Sequence, residues 1–508
     1  MSGQNSNFFC DFKRIIRQYA DKELLRGADE RSLTYSEIDS MSAHMAAALI
    51  AAGGRPGDRV TVQVHKSVEN LALYLAALRA GLVYHPLNMA YTKAELEYFV
   101  GNAEPSVIVC DQEREGDFAA IAGGSGGAIV LTLNADGSGT LSESAAALEA
   151  NFDTAARDGD DMAALLYSSG TTGVPKGIML THENLRSNTE ALVEAWGFND
   201  NDRLLHALPI FHVHGLFVAI GCVMLSGASM RWLNNYDAKS AVRYLPECSV
   251  MMGVPTYYTR LLKEADFTRD VARNVRVFIS GSAPLLEETF REFEARTGHR
   301  ILERYGMTET NMNTSNPLDG ERKPGTVGPP LPGVEVRIVD DTDKPLGLGE
   351  VGNLQVRGPN VFKGYWKLPD KTAEDIAADG WFNTGDKGTI DEDGYVSIVG
   401  RAKDVVITGG LNVYPKEVEL VIDELPGVKE SAVIGVPHAD FGEAVIAVVV
   451  PSADGELSEQ DIIDACKRQL ANFKVPKKVL FVGELPRNTM AKVQKNVLRD
   501  TFDDAMSA

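Results

Sequence analysis

Between Tyr167 and Gly177 the chain reads YSSGTTGVPKG, directly behind the apolar run MAALL. The stretch carries Gly170, Gly173 and Gly177, the hydroxyls of Ser168, Ser169, Thr171 and Thr172, and the amine of Lys176. Glycines let a backbone approach an anion, hydroxyl and N–H groups donate to it, and the lysine adds charge. An apolar strand that empties into such a loop is therefore suited to wrapping phosphate oxygens. The order G-x-x-x-x-G-K-[ST] is absent, because Gly177 follows Lys176. The loop reads as a phosphate cradle of another kind; a Gly-rich surface turn is seldom this long and this rich in hydroxyls.

Other residues offer chemistry singly. On a strand the side chains at i and i+2 share a face, so His212 and His214 in IFHVHGL invite a metal. No third ligand lies at a useful spacing and H-E-x-x-H is absent, which argues against a catalytic zinc. Pro255 suits the first turn of a helix that places Tyr257, Arg260 and Leu261 on one face. By sequence alone Lys492 belongs to a solvated basic tail, Asp386 is a turn residue after NTG, and Glu309 is an ordinary surface carboxylate.

The elements that must position these residues belong to a long chain of globular composition. At 508 residues, 44% hydrophobic and 24% charged, the sequence calls for several cores. Its net charge of −21 argues against nucleic acid or an anionic membrane as the main partner. Five scattered cysteines without C-x-x-C, and no signal-like or membrane-length apolar run, suggest a reduced, cytoplasmic protein. DRVTVQVH, KSVENLALYLAALRAG and LVYHPLN read as strand, helix and strand, the opening of a parallel doubly wound sheet. Residues 121–140 read as loops around one strand, and a helix is expected from His182. Strands then recur at DRLLHALPI, ASMRWL, VMMGV, VRVFISG and RILERYG, with a helix at 215–226. From about residue 326 the texture changes to short alternating strands, and the segment after Lys403 has the pattern of a small α+β domain.

With the loop, ERYGMTET (303–310), WFNTGD (381–386), GYVSIVGRAKDVVITGGLNVYPKEVE (394–419) and LPRNTMAKVQKN (485–496) form an ordered set of motifs. The set resembles the acyl-adenylate-forming superfamily of acyl-CoA synthetases, peptide-synthetase adenylation domains and luciferase. IFHVHGL, GVPTYYTRLL, ISGSAPL and the text from ERYGMTET to PGVE are most similar to the malonyl-CoA synthetases. The resemblance implies two doubly wound α/β halves and a β-rich subdomain in residues 1–402, and a small mobile α+β domain in 403–508 hinged at Lys403. It implies ATP, Mg²⁺ and coenzyme A, and a reaction in which malonate becomes malonyl-AMP and then malonyl-CoA.

Site roles follow from the same resemblance. Ser168, Ser169, Gly170, Thr171, Thr172, Gly173 and Lys176 would hold phosphates. Ser280, Gly281, Ala283, Arg304, Tyr305, Gly306 and Thr308 would complete the nucleotide pocket, with Tyr305 on adenine and Thr308 at the α-phosphate. Glu309 and Thr171 would ligate Mg²⁺, Asp386 and Arg401 would hold the ribose, and Lys492 would stabilise the charge gathering on the α-phosphoryl group. Lys403, Gly409 and Gly410 would serve coenzyme A. His212, His214, Ser282 and Met307 would line the acyl pocket. A second buried carboxylate needs a bidentate partner; Arg231, Arg260 and Arg304 are candidates, and the malonyl-CoA synthetase pattern favours Arg260. Ala491 stands where the superfamily usually has glycine. The resemblance also makes a lysine acyltransferase and a deacylase acting on Lys492 further partners. Alternatives are a ligase for methylmalonate or a short monocarboxylate, an enzyme loading a carrier-protein thiol, and an adenylate-binding sensor disabled at Ala491; the absence of G-x-D-S argues against a fused carrier.

Overall fold

The computed structural model describes residues 5–124, 127–168, 175–408, 411–438, 441–452, 457–470, 472–488 and 492–506. Two compact units emerge: Met1–Glu335 with Val356–Phe382, and Val336–Gln355 with Asn383–Ala508. The division places Val396–Arg401 with the chain that follows it, on the far side of the sequence from the expected cut after residue 402. Strand Val396–Arg401 pairs antiparallel with Phe382–Ile390, the strand before it.

The first unit is built on two sheets, as the α/β reading expects. One runs in the order Gly364–Tyr365, Lys176–Thr181, Met162–Ser168, Val83–Pro86, Arg59–Gln63, Val107–Cys110, Ile129–Thr132. Its last four strands are parallel, whereas Met162–Ser168 and Lys176–Thr181 form an antiparallel hairpin around the phosphate-loop sequence. The second sheet runs Asn311–Ser315, Leu302–Met307, Val277–Ser280, Val250–Gly253, Arg203–His206, Ser229–Trp232, Glu23–Gly27, Ser32–Thr34. Four-residue apolar strands such as VFIS and VMMG are buried on both faces, the pattern of a covered parallel sheet. Every residue of helix Val68–Arg79 is buried, which is why its sequence shows no polar stripe. Helices Tyr35–Ala51, Lys93–Ala103 and His182–Ala195 each start on a threonine capping box.

Two local expectations need correction. Helix Glu115–Gly124 runs through residues read as loop, since alanines outweigh the two terminal glycines. His212 and His214 do not share a strand face. His214 opens a π-helical turn, His214–Ala219, that continues into helix Ile220–Ser226.

In the second unit a four-stranded sheet, Glu335–Val339, Gly352–Arg357, Phe382–Ile390, Val396–Arg401, precedes a five-stranded one. The latter pairs Val428–His438 with Gly442–Pro451, and helices Pro415–Asp423 and Glu459–Gln469 cover it. Val418, Ile422, Val433, Val445, Ile462 and Cys466 form its core. This is the small α+β pattern expected. Among the described residues no helix is long and apolar enough to cross a membrane, and all five cysteines are unpaired.

Candidate active site

In the first unit the carboxyl ends of neighbouring parallel strands converge with the π-helical turn. Ser280 ends strand Val277–Ser280, Arg304 lies in strand Leu302–Met307, and His214 opens the turn. All three are buried, Arg304 to 3% exposure. Arg304 Nε and Nη2, Ser280 Oγ and His214 Nε2 have no hydrogen-bond partner among the described residues. Burial pulls the Arg304 pKa down to about 9, and burial with the Arg304 charge holds His214 well below the usual imidazole range. An unpartnered buried guanidinium is costly, and an anion placed beside it would relieve that cost. Gly281 leaves room for the guanidinium, since a side chain there would meet the Arg304 guanidinium carbon at 2.4 Å and push it aside. Ser282 keeps φ at 71°, a left-handed conformation that costs a non-glycine residue roughly 1–2 kcal/mol, and its Oγ lies 3.3 Å from His214 Nδ1. Ala283 is exposed beside it.

The sequence gives no hint of what holds the histidine turn. Lys66 Nζ donates to His206 Nδ1 at 2.9 Å, to the His206 carbonyl at 3.0 Å and to the Leu233 carbonyl at 2.7 Å. It also stands 4.3 Å from the Trp232 ring centre. His206 is held neutral by burial and by this ammonium, so its Nε2–H donates to the Gly215 carbonyl at 2.9 Å. Lys66 and His206 escaped notice because nothing in their own neighbourhood links them to residue 215.

Tyr305, Gly306 and Met307 continue the strand of Arg304, and Thr308 and Glu309 sit on the tight turn to Asn311. Glycine at 306 lets that turn close, since a side chain there would meet the Asn311 carbonyl at 1.9 Å. Glu309 is buried at 7% exposure, and its hard carboxylate oxygens suit a magnesium ion that takes its remaining ligands from phosphates and water. His212 is half-buried against Phe211.

The three candidate arginines separate sharply. Arg231 is fully buried but committed, paired with Glu30 and Glu247 and stacked 3.8 Å over Tyr244. Arg260 lies on helix Pro255–Lys263 with its side chain exposed, while Leu261 beside it is buried. Arg231 leaves its Nε without a hydrogen-bond partner, but its charge faces two carboxylates; among the described residues Arg304 is the one of the three that is buried with no carboxylate beside it.

Lys176 begins strand Lys176–Thr181, its ammonium 4.6 Å above the Tyr365 ring. Ser168 ends the preceding strand. Ser169, Gly170, Thr171, Thr172 and Gly173 lie outside the described residues, as do Gly409, Gly410 and Ala491.

In the second unit Asp386 and Arg401 are cross-strand partners, with Arg401 Nε 2.9 Å from the buried Asp386 carboxylate. The Asp386 N–H donates to Thr384 Oγ1 at 3.1 Å, so the NTGD turn aims the carboxylate through its own backbone. Lys403 is exposed in the one-turn segment Ala402–Asp404. Lys492 is exposed; its N–H donates to Asn488 Oδ1 and its carbonyl accepts from the Asn488 N–H, both at 3.0 Å.

Residues 12–366 match the family described as AMP-binding enzyme, and residues 417–492 match the AMP-binding enzyme C-terminal domain. The malonate–CoA ligase of Arabidopsis thaliana is 36% identical over 487 residues, covering 89% of this chain and 79% of that protein. A long-chain-fatty-acid–CoA ligase of Escherichia coli O157:H7 is 32% identical over 533 residues, covering 96% and 93%. The crystal structure of ATP-bound MatB from Rhodopseudomonas palustris superposes with a TM-score of 0.96 at 52% identity, covering 99% of this chain and 100% of that one.

Proposed function

This chain belongs to the AMP-binding enzyme family, and from that membership we propose that it is an ATP-dependent malonate–CoA ligase. It joins malonate to coenzyme A through malonyl-AMP, releasing diphosphate in the first half-reaction and AMP in the second. The observation that carries the malonate reading is Arg304, buried with two unsatisfied nitrogens beside Ser280 Oγ and His214 Nε2. Relatives at comparable identity act on malonate and on long-chain acids. A fatty chain cannot lie against a bare guanidinium, whereas the second carboxylate of a short diacid pairs with it. Arg260 is exposed on its helix and leaves no buried charge for the substrate to pair.

In the first half-reaction one malonate carboxylate oxygen attacks the α-phosphorus and the bond to diphosphate breaks. Tyr305 stacks on adenine, Asp386 with Arg401 holds the ribose hydroxyls, and Thr308 contacts the α-phosphate. Glu309 and Thr171 would hold magnesium, which when bound would supply charge neutralisation on the phosphates. Lys492 meets the negative charge that grows on the α-phosphoryl group. In the second half-reaction the thiol sulfur of coenzyme A attacks the acyl carbon, AMP leaves, and the thiol proton is lost. A rotation at Lys403 exchanges Lys492 for Gly409 and Gly410, whose bare backbone leaves a passage for the pantetheine arm. Five unpaired cysteines support a cytoplasmic location, and the exposure of Lys492 supports access by an acyltransferase and a deacylase.

The test compares diphosphate release with malonate, methylmalonate and propionate in wild type, Arg304→Gln and Arg260→Gln. Truncating one partner of a buried charge pair costs roughly 2–5 kcal/mol, so Arg304→Gln should lower the malonate-to-propionate ratio of kcat/KM by about 30- to 4000-fold. A wild type that prefers propionate would sink the malonate reading.

A further inference from the structure

The hairpin that carries Lys176 is gripped from outside by one helix. Tyr98 and Asn102 lie four residues apart on helix Lys93–Ala103, on the same face and about one turn, roughly 5–6 Å, apart. Strands Met162–Ser168 and Lys176–Thr181 are neighbours in register, with Tyr167 opposite Gly177, and adjacent strands lie about 4.8 Å apart. The helical repeat thus matches the strand spacing, and each turn takes one strand. Tyr167 donates its hydroxyl to Asn102 Oδ1 at 2.6 Å. Tyr98 donates its hydroxyl to the Pro175 carbonyl, also at 2.6 Å. Aromatic edges fill the gap, with Phe99 4.9 Å and Tyr98 6.3 Å from the Tyr167 ring.

The helix itself is anchored at both ends. Thr92 and Glu95 form its capping box. The Asn102 carbonyl accepts from Trp366 Nε1 at 2.9 Å and Lys367 Nζ at 2.8 Å, and Lys367 also pairs with Glu104 at 2.8 Å. Fixing the Pro175 carbonyl fixes the peptide plane from which Lys176 departs, and with the strand pairing it fixes the direction in which the side chain leaves the backbone.

We propose that Tyr98 and Asn102 are positioning residues for ATP: the juxtaposition of one helix face with both stalks of the hairpin aims Lys176 at the leaving phosphates. The inference rests on the reading of Lys176 as a phosphate contact. Diphosphate exists only in the first half-reaction, so the grip matters there and is irrelevant once acyl-AMP has formed.

The test uses the full-length enzyme carrying Tyr98→Phe, Asn102→Leu, the double substitution, and Lys176→Met as a benchmark. For each, the KM for ATP and for malonate are measured by diphosphate release, and thioester formation is measured from synthetic malonyl-AMP and coenzyme A. Each single loss of a hydrogen bond should raise the KM for ATP about 3- to 10-fold, and the double more, with thioester formation within twofold of wild type. Asn102→Asp, which keeps an oxygen acceptor for Tyr167, should recover most of the loss seen in Asn102→Leu. An unchanged KM for ATP, or equal losses in both half-reactions, overturns the proposal and leaves Tyr98 and Asn102 as structural groups. A Lys176→Met enzyme with a wild-type KM for ATP overturns the phosphate reading itself, a result separable from failure of the Tyr98 variant alone.

Discussion

At the scale of single residues, the decisive property is whether a charge has a partner. Arg231 and Arg304 are both buried arginines, yet one faces two glutamates and the other faces unsatisfied polar atoms. The first charge is neutralised within the fold, and the second is the one proposed to meet the substrate's carboxylate. Lys492 is exposed, and the charge it is proposed to meet grows on the α-phosphoryl group only during adenylation. Lys492→Ala should therefore slow malonyl-AMP formation by about 100- to 1000-fold, the usual loss on removing one group aimed at transition-state charge. Thioester formation from supplied malonyl-AMP should stay near the wild-type rate. Stopped-flow measurement of both steps checks this, and parallel losses would remove Lys492 from its assigned role.

At the scale of elements, helix Pro415–Asp423 carries a titration that the second unit must absorb. Burial raises the Asp423 carboxyl to about 6, against the lowering effects of the Ser431 hydroxyl at 2.7 Å and of Lys416. Folding raises this pKa, so the folded chain holds the proton more tightly than the unfolded one. The contribution to stability is fully present below about pH 4 and is lost as pH rises through 6. Asp423→Asn should thus stabilise the helix at pH 7 by about 1–2 kcal/mol and abolish the difference between pH 5 and pH 7. Hydrogen exchange of the helix amides at the two pH values reads the effect directly. Equal protection in both proteins at pH 7 would show that the carboxylate is solvated.

At the scale of the whole molecule, the proposed rotation at Lys403 is what separates the two half-reactions. Lys403→Pro restricts the backbone where the rotation is proposed. Malonyl-AMP formation should persist within a few-fold while coenzyme A-dependent turnover falls at least about 100-fold. Melting temperatures separate this from damage to the fold, and losses of the same size in both steps would place the rotation elsewhere.

The sequence by itself determined the α/β character of the first part, the strand that leads into the phosphate-loop sequence and the α+β character of the last segment, while the returning strand Lys176–Thr181 came from the structure. These depend on local periodicity, glycine placement and motif spacing, which a linear text records. It also supplied Glu309, Asp386 and Lys492 through ordered motifs, although their individual contexts looked ordinary. Tertiary structure alone decided that His214, without His212, opens a π-helical turn braced from Lys66 and His206, and that Tyr98 reaches the carbonyl of Pro175. It also decided among the arginines, burying Arg304 unpaired, pairing Arg231 and leaving Arg260 exposed. Burial and pairing are sums over neighbours far apart in the chain, and residue spacing carries no record of which charges end up facing one another across a packed core.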